Sequence, residues 1–436
     1  MRDTLPVSDT SSVGTPCALP GTPLALAAAG IDACVHCGFC LQACPTYLAL
    51  EDENDSPRGR IVLMRGLLDG AVSISDPVVQ QHMDRCLGCR GCETACPSGV
   101  PYGQLLEATR ATMRQVTAPP WVARVILSVF ASRPLLALAL FGGRMLRALG
   151  VPPLLARLPG RLGAGMAMLA STRNVLDTHE YPTATTVSRG SVTLLRGCVM
   201  EGLQAATNRA TVRTLRVNGY DVVETSMQGC CGALHAHAGD LETARTLARA
   251  NIRAFERTPD AVIAVNAAGC GAMLKEYAHL LHDDPMWHDR ALAVSVRTRD
   301  ATELLAAAGP KPASLRVPVR ITYDAPCHLQ HAQRLTSPPL AVLDAIGNLT
   351  HIPLEDSDQC CGSAGIYNLI EPSVSDAVLA PKLRNIAQTG ATLVVTGNPG
   401  CLMQIGAGLL RAGASARVVH PIDLLDAAYA DSSRPT

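Results

Sequence analysis

The sequence lacks both an excess of charge and the start of a secreted protein. Its formal net charge at pH 7 is +0, so no basic surplus is available to neutralise the phosphates of a nucleic acid. Residues 1–20 show no basic start followed by an apolar run, and we therefore expect no signal peptide. These absences favour a cytoplasmic protein that does not bind nucleic acid.

Nucleotide-binding motifs are missing as well. The sequence has no Walker A loop and no GxGxxG between a strand and a helix, and the glycines of residues 406–408 do not follow the required spacing. We therefore expect neither a flavin nor a nicotinamide on this chain. Hydride transfer from a substrate would then belong to another subunit.

No uninterrupted apolar run reaches the roughly 20 residues that a membrane span needs. The most apolar stretch, residues 121–149, is broken by four arginines and by Pro134. We predict that it forms two amphipathic helices that pack on the protein or on a partner. Peripheral contact with a membrane surface is the alternative, because arginines beside apolar faces also suit a lipid interface.

Cysteine, in contrast, is abundant. The chain has 17 cysteines among 436 residues, whereas secreted disulfide scaffolds are short, so reduced thiols that bind metal fit better. Two runs, residues 34–45 and 86–97, both read C-x2-C-x2-C-x3-C-P. This spacing is typical of bacterial ferredoxins that hold two [4Fe–4S] clusters.

In that motif class, the fourth cysteine of each run binds the other cluster. The predicted ligands are Cys34, Cys37, Cys40 and Cys96 for one cluster, and Cys44, Cys86, Cys89 and Cys92 for the second. A structural zinc site or a disulfide framework explains the runs less well, because zinc usually takes its ligands as separated pairs. We interpret His36 as a neighbour of the first cluster, since four cysteines already complete the ligand set.

The segment between the two runs is longer than a short ferredoxin requires. Residues 60–68 carry apolar side chains at helical spacing. The preceding Asp55-Ser56-Pro57 supplies capping residues and a proline suited to a first helical turn. We therefore predict an α-helical two-cluster domain. Arg58 and Arg60 either place positive charge near a cluster or lie solvated on the surface.

The C-terminal part contains an internal repeat, in which four cysteines recur at offsets of 129, 130, 130 and 131 positions. The cysteines are Cys198, Cys230, Cys231 and Cys270 in the first copy, and Cys327, Cys360, Cys361 and Cys401 in the second. Short β-branched runs such as residues 192–196 and 319–323 precede these cysteines and alternate with helix-like sequence. We predict small, mainly parallel sheets covered by helices, with the cysteines of each copy at the strand ends.

The sequence leaves the chemistry of these Cys-Cys-Gly copies open. Adjacent cysteines suit a further metal or an unusual cluster, zinc, or redox-active thiols. They also suit small buried positions at tight turns, where Gly232 and Gly362 belong. Four nearby histidines either bind metal or move protons, or belong to ordinary polar loops. They are His235, His237, His328 and His331.

Together these patterns predict a multidomain protein of the α and α/β classes. We expect an N-terminal α-helical ferredoxin domain with two [4Fe–4S] clusters, followed by a tandem-repeat α/β Cys-Cys-Gly domain. The predicted boundaries are 1–24 for a mobile N-terminus, 25–118 for the ferredoxin domain, 119–190 for a helical connector and linker, and 191–310 and 311–436 for the two repeats.

The chain from about residue 32 onward resembles the iron–sulfur subunits of glycolate oxidase, also called glycolate dehydrogenase. The matching strings are Cys34-Val-His-Cys-Gly-Phe-Cys40, Cys44-Pro-Thr-Tyr47, Pro57-Arg-Gly-Arg-Ile61, Cys92-Glu-Thr-Ala-Cys-Pro-Ser-Gly-Val100, Gly269-Cys-Gly-Ala-Met-Leu-Lys-Glu-Tyr277, Leu329-Gln-His-Ala-Gln333 and Cys360-Cys-Gly-Ser-Ala-Gly365. The Cys-Cys-Gly repeat alone is shared more widely, with heterodisulfide reductase, lactate-utilisation and anaerobic glycerol-3-phosphate dehydrogenase subunits.

The resemblance implies an electron-transfer subunit. Flavoprotein (FAD) partners would oxidise glycolate to glyoxylate, and a quinone or similar acceptor would receive the electrons. Such complexes are cytoplasmic or loosely attached to the inner membrane. The alternatives are a subunit of a lactate or glycerol-3-phosphate dehydrogenase, a heterodisulfide-reductase-like thiol enzyme, and a zinc-stabilised scaffold.

One departure from the wider superfamily concerns a fifth cysteine. Heterodisulfide-reductase-like domains place it three positions after the last cysteine of each copy, where this chain has Met273 and Gln404. We therefore do not predict a complete noncubane cluster in either copy.

Overall fold

The computed structural model describes residues 17–176, 180–183 and 188–433. The first part of the chain is helical, as predicted. Its helices are Pro23–Leu26, Ala28–Asp32, Pro45–Leu50, Pro57–Leu68, Pro77–Asp84, Gly91–Thr94 and Tyr102–Arg114, with a 3-10 turn at Glu53–Asp55. The predicted start of the fourth helix is confirmed, because Ser56 Oγ accepts the Gly59 N–H at 3.0 Å and Pro57 is the first helical residue.

The packed chain begins earlier than the predicted boundary at residue 24. Leu24 is fully buried, and its N–H donates to Thr112 Oγ1 at 3.0 Å. Ala18 N–H donates to the carbonyl oxygen of Leu68 at 2.7 Å. Residues 17–24 are thus held by the helical unit, because an apolar side chain and backbone donors find partners there. Residues 1–16 lie outside the described residues.

Four further helices follow, Trp121–Ala131, Arg133–Ala148, Val151–Leu155 and Gly160–Ser171. They correspond to the predicted helical connector, but the longest of them is poorly covered: Arg133–Ala148 has no buried residue. Among the described residues, no single helix has the length and apolar character of a membrane span. The first two pass that test only as a pair, which is bent by 105°.

The first repeat is a parallel sheet flanked by helices. Its strands are β1 (Ser191–Leu194), β2 (Asp221–Val223), β3 (Val262–Val265) and β4 (Thr298–Asp300), in the order β2-β1-β3-β4. Its helices are Val199–Leu203, Ala205–Val217, Ala233–His237, Leu241–Phe255, Ala268–Lys275, Tyr277–Leu280, His288–Arg297 and Ala301–Ala308.

The second repeat has the same topology, so the internal repeat is confirmed in three dimensions. Its strands are β5 (Ala313–Tyr323), β6 (Ile346–His351), β7 (Leu393–Val395) and β8 (Arg417–Val419), in the order β6-β5-β7-β8 and all parallel. Its helices are Ser337–Asp344, Tyr367–Ile370, Pro372–Thr389, Pro399–Arg411 and Pro421–Ser433, with a π-helical turn at His328–Ala332.

The two repeats share one hydrophobic core. Leu194 and Leu215 of the first repeat lie in the same buried cluster as Ile321 and Leu425 of the second. A buried carboxylate fixes the junction: Arg213 donates to Asp426 at 2.5 Å, and Tyr181 O–H donates to the same side chain at 2.6 Å. This shared core holds the cysteine loops of both copies in a fixed relative position.

Candidate metal centres

The cysteines of the N-terminal helical unit line two adjacent cavities. Cys34, Cys37, Cys40 and Cys96 line the first, together with Cys92. Cys44, Cys86, Cys89 and Cys92 line the second. The fourth cysteine of each run thus lies with the first three of the other run. Four thiolates around one small cavity are the donor set that a [4Fe–4S] cluster takes, so the residues present fit that group.

Left-handed backbone turns shape both cysteine loops in the same way. The residues before and after the second cysteine have positive φ in each run: 54° at His36 and 85° at Gly38, then 62° at Gly88 and 65° at Arg90. Such turns reverse the backbone over short distances, which lets three thiols of one loop face a common space. The cavities share Pro57 and Tyr102 in their walls.

A fully buried arginine places positive charge beside the second cavity. Arg60 lines this cavity and is 0% exposed, which excludes the surface alternative for this residue. Its guanidinium donates to Asp55 Oδ1 at 3.0 Å and to the carbonyl oxygen of His82 at 2.6 Å. Burial lowers the pKa of Arg60, but the nearby Cys86, Tyr102, Cys44 and Asp55 together raise that pKa above its usual value. Arg60 therefore stays charged and compensates anionic ligands.

Arg58 differs from Arg60. It lines the first cavity but is partly exposed, and its Nε donates to Glu53 Oε1 at 2.6 Å. Its charge is therefore screened by a neighbouring carboxylate and by solvent.

Burial raises the pKa of several cysteine thiols in these cavities. It raises the pKa of Cys40 to about 11, and it raises those of Cys44 and Cys92 above their usual value. Such thiols are protonated at neutral pH when they have no metal. A metal or cluster must therefore displace protons when it binds there.

Other residues that hold these loops escaped the sequence interpretation. Arg110 Nη2 donates to the carbonyl oxygens of Met83 at 2.9 Å and Cys86 at 2.7 Å, which fixes the entry into the second cysteine run. Tyr102 O–H donates to Cys86 Sγ at 3.7 Å. Arg110 lies on the helix Tyr102–Arg114, where a single sequence gives no sign that its side chain points inward.

The four cysteines of the first repeat converge at the carboxyl ends of β1, β2 and β3. Cys198 follows β1, Cys230 and Cys231 follow β2, and Cys270 lies on the helix that follows β3. The Sγ atoms of Cys198 and Cys230 are 3.8 Å apart, and those of Cys231 and Cys270 are 3.3 Å apart. The site lies where the strand order reverses, between β1 and β3, which is where open α/β sheets bind ligands.

The second repeat shows the same pairing of thiols. Cys327 follows β5, Cys360 and Cys361 follow β6, and Cys401 lies on the helix that follows β7. Cys327 and Cys360 lie in one buried cluster, and Cys361 and Cys401 lie in another. The glycine after each cysteine pair has positive φ. At Gly362 a Cβ atom would lie 2.7 Å from the Ser375 carbonyl oxygen, so a larger residue does not fit.

Of the four histidines singled out from sequence, three bond to groups other than thiols. His235 contacts the carbonyl oxygen of Leu127 at 3.1 Å, His237 contacts Glu107 at 2.8 Å, and His331 contacts Thr94 at 2.8 Å. His328 Nδ1 lies 3.4 Å from Cys327 Sγ. His235 and His237 lie on the helix Ala233–His237, and His331 lies on the π-helical turn His328–Ala332. These three side chains therefore have structural partners of their own and do not belong to ordinary polar loops.

The positions of the absent fifth cysteine are filled by other side chains. Met273 is buried in the core of the first repeat. Gln404 Nε2 donates to Ser375 Oγ at 2.9 Å, and its Oε1 accepts from Asn368 at 2.8 Å. Both side chains have structural partners of their own.

The fold and the cysteine sites define the class of protein. A family model of the 4Fe-4S dicluster domain matches residues 30–100, and a model of the cysteine-rich domain matches residues 192–275 and 321–406. The chain is an iron–sulfur protein with one dicluster domain and two cysteine-rich domains.

Similarity over most of the chain identifies the family. The probable glycolate oxidase iron-sulfur subunit of Bacillus subtilis is 38% identical over 90% of this chain and 92% of its own length. The glycolate oxidase iron-sulfur subunit of Escherichia coli is 37% identical over 85% of this chain and 88% of its own. The chain belongs to the family of glycolate oxidase iron–sulfur subunits. Lactate utilization protein A of Exiguobacterium is more distant, with 29% identity over 54% of this chain.

Proposed function

We propose that this chain is the electron-transfer subunit of a complex that oxidises glycolate to glyoxylate. The observation that carries the proposal is the pair of adjacent cavities, each of which is lined by the four cysteines of a [4Fe–4S] ligand set. The chain is also similar to a probable glycolate oxidase iron-sulfur subunit over nine tenths of its length. The more distant lactate utilization relatives match about half of the chain. Glycolate is therefore favoured over lactate as the substrate of the complex.

Each residue of the dicluster domain has a defined part in this proposal. Cys34, Cys37, Cys40 and Cys96 hold one cluster, and Cys44, Cys86, Cys89 and Cys92 hold the other. A [4Fe–4S] cluster, when bound, accepts and donates single electrons. Arg60 compensates the negative charge of the ligands around the second cavity, and the buried Tyr102 and Pro57 form part of the wall of both cavities.

Substrate oxidation is assigned to a partner subunit. A flavoprotein that contains FAD takes the hydride from glycolate, and this chain receives the electrons one at a time and passes them toward a quinone-type acceptor. The isolated chain does not turn over glycolate. In each cysteine-rich domain the convergent cysteines hold a further metal or cluster, supported by the four thiols gathered at each switch point.

A test separates relay from catalysis. In the assembled complex, Cys89→Ala is expected to stop electron delivery to a quinone while glycolate still reduces the flavin of the partner. The matched control is Cys17→Ala, because Cys17 is exposed and lies outside both cysteine runs. Loss of flavin reduction together with quinone reduction, in a Cys89 variant that still assembles, would contradict a pure relay.

We further propose that the complex is cytoplasmic and attaches to an anionic membrane surface through the helices Trp121–Ala131 and Arg133–Ala148. These helices expose large apolar side chains, including Trp121 at 69%, Leu138 at 67% and Phe141 at 53%. Residues 108–176 contain nine arginines and no aspartate or glutamate. Arg110 and Arg147 donate to carbonyl oxygens of the same chain, whereas Arg124 on the first of the two helices is exposed. Apolar side chains beside arginines, without acidic neighbours in the sequence, complement anionic lipid headgroups.

A further inference from the structure

A buried ion pair lies beneath the cysteines of the second repeat. Lys382, on the helix Pro372–Thr389, donates to Asp324 Oδ1 at 2.6 Å, and both side chains are 2% exposed. Asp324 directly follows β5 and also accepts from Thr396 Oγ1 at 3.0 Å, directly after β7. The pair therefore lies at the switch point of the second sheet, where Cys327 and Cys401 also lie.

Lys382 also holds the loop that leads into the cysteine pair. Its ammonium group donates to the carbonyl oxygens of Asp356 at 3.1 Å and Ser357 at 3.2 Å. These residues come shortly before Cys360 in the chain. Three acceptors match the three donors of an ammonium group, so this buried charge is fully hydrogen-bonded.

The first repeat is built without this charge. In the repeat register the counterparts of Asp324 and Lys382 are Leu195 and Ile252, which lie together in the hydrophobic core of the first repeat. There, the neutral Asn251 holds the loop: its Oδ1 accepts the Gly229 N–H at 2.8 Å, and its Nδ2 donates to the Cys230 carbonyl oxygen at 2.8 Å. The same fold thus holds one cysteine pair with an amide and the other with a cation.

Stability does not account for this difference. A buried ion pair is often no more stabilising than apolar residues of similar size, because removing two charges from water is costly. The first repeat has leucine and isoleucine at the two corresponding positions. The pair in the second repeat both holds the loop before Cys360 and places charge beside the site above it.

A second, independent observation distinguishes the second site. The partly buried Cys89, which lines the second cavity of the dicluster domain, packs against a buried cluster that contains Cys327 and Cys360 of the second repeat. Leu87, which also lines the second cavity, belongs to the same cluster. This packing offers a short path for an electron between the two sites.

We propose that Lys382 is a positioning residue that makes the second Cys-Cys-Gly site, rather than the first, the one that exchanges electrons directly with the dicluster domain. This inference rests on the proposed function. Cys44, Cys86, Cys89 and Cys92 would hold the electron donor, a [4Fe–4S] cluster that would be oxidised by one electron. Cys327, Cys360, Cys361 and Cys401 would hold the acceptor, an iron–sulfur cluster that would be reduced by that electron, and no bond to carbon or hydrogen would change. Reduced flavin of the partner supplies the electron in the complex, and dithionite supplies it in the test.

The experiment is an EPR-monitored redox titration of the full-length, iron-loaded chain with dithionite. The variant Cys360→Ser first identifies the EPR signal that depends on the second site. The variant Cys230→Ser makes the corresponding change in the first repeat and identifies any signal that depends on the first site. Lys382→Met is then expected to shift the midpoint of the assigned signal to lower potential, since a nearby cation favours the reduced state. Ile252→Met, the matched control in the first repeat, is expected to leave that midpoint unchanged.

The variant Lys382→Gln covers the case in which Lys382→Met does not fold. Glutamine keeps an amide donor for the carbonyl oxygens of Asp356 and Ser357 but removes the positive charge, so we expect a folded chain whose midpoint is shifted to lower potential. If Lys382 had a purely structural role, this variant would keep the wild-type midpoint potential, and that result would overturn the inference. The absence of any EPR signal that changes in Cys360→Ser would overturn it as well. A wild-type chain without iron would instead contradict the proposed function.

Discussion

Arg60 and Asp55 form a 3.0 Å ion pair in which both side chains are 0% exposed. Asp55 Oδ2 also accepts from Arg85 at 3.1 Å, and His82 Nδ1 lies 3.1 Å from Asp55 Oδ1. The pair connects the segment before the helix Pro57–Leu68 to the wall of the second cysteine cavity. It therefore links the stability of the dicluster domain to the charge around its ligands.

Removing the arginine leaves a buried carboxylate with weaker compensation. Arg60→Met is expected to destabilise the dicluster domain by about 3–5 kcal/mol, measured by urea unfolding with the visible iron–sulfur absorbance as the signal. Arg58→Met is the matched control, with a much smaller expected loss because its pair with Glu53 is exposed to solvent. Equal losses in both variants would contradict the role given to Arg60.

The crossed arrangement of the fourth cysteines gives a spectroscopic prediction. Cys96→Ala is expected to perturb the same EPR signal as Cys37→Ala, because both residues line the first cavity. Cys44→Ala is expected to perturb the same signal as Cys89→Ala. If Cys96→Ala instead reproduced the spectrum of Cys89→Ala, each cluster would take all four ligands from one run.

The raised thiol pKa values predict a pH dependence of cluster loading. Burial raises the pKa of Cys40 to about 11, so at pH 7 to 9 this thiol is protonated without metal and must lose its proton when iron binds. The affinity of the site for iron therefore falls as the pH falls. The affinity rises with pH until the pH reaches the pKa of the thiol. Proton release during anaerobic reconstitution in weak buffer measures this effect. Loading independent of pH between 7 and 9 would contradict it.

The exposed connector helices predict binding to anionic lipid. Leu138→Glu is expected to weaken flotation with vesicles that contain phosphatidylglycerol by about ten-fold or more, since burying a leucine contributes about 1.5–3 kcal/mol. Val317→Glu is the control, because Val317 is similarly exposed but lies on strand β5. If the Leu138 variant floated with vesicles as well as the wild-type chain does, a lipid surface would be excluded as the binding partner of these helices. A partner subunit would then be the remaining candidate.

Sequence patterns predicted the elements that carry strong local signals. The helix after Ser56-Pro57 begins where its caps predict, and the helices Ala205–Val217 and Leu241–Phe255 fall on the helix-like segments between the cysteines. The predicted run at residues 192–196 overlaps strand β1, because this strand is mostly buried and β-branched. Strand β2 was missed, since three half-exposed residues, Asp221–Val223, give no periodic signal.

Strand β5 shows a different reason for an error at a boundary. It begins at Ala313, before the predicted run at residues 319–323, and its pairing with β6 shifts between Ser314 and Val319. Pro318 lies in this interval and cannot donate to the sheet, which hides the strand from a sequence pattern. Contacts across domains, such as the packing of Cys89 against the cluster that contains Cys360, depend on tertiary structure and leave no local trace in the sequence.

The most direct test of the proposed function combines iron analysis with EPR on the purified chain and its flavoprotein partner under anaerobic conditions. We predict at least about eight irons per chain for two [4Fe–4S] clusters, and [4Fe–4S] signals that appear when glycolate is added to the mixture. The chain without its partner should stay oxidised with glycolate alone. Zinc without iron, or an iron-loaded chain that glycolate and the flavoprotein fail to reduce, would contradict the account.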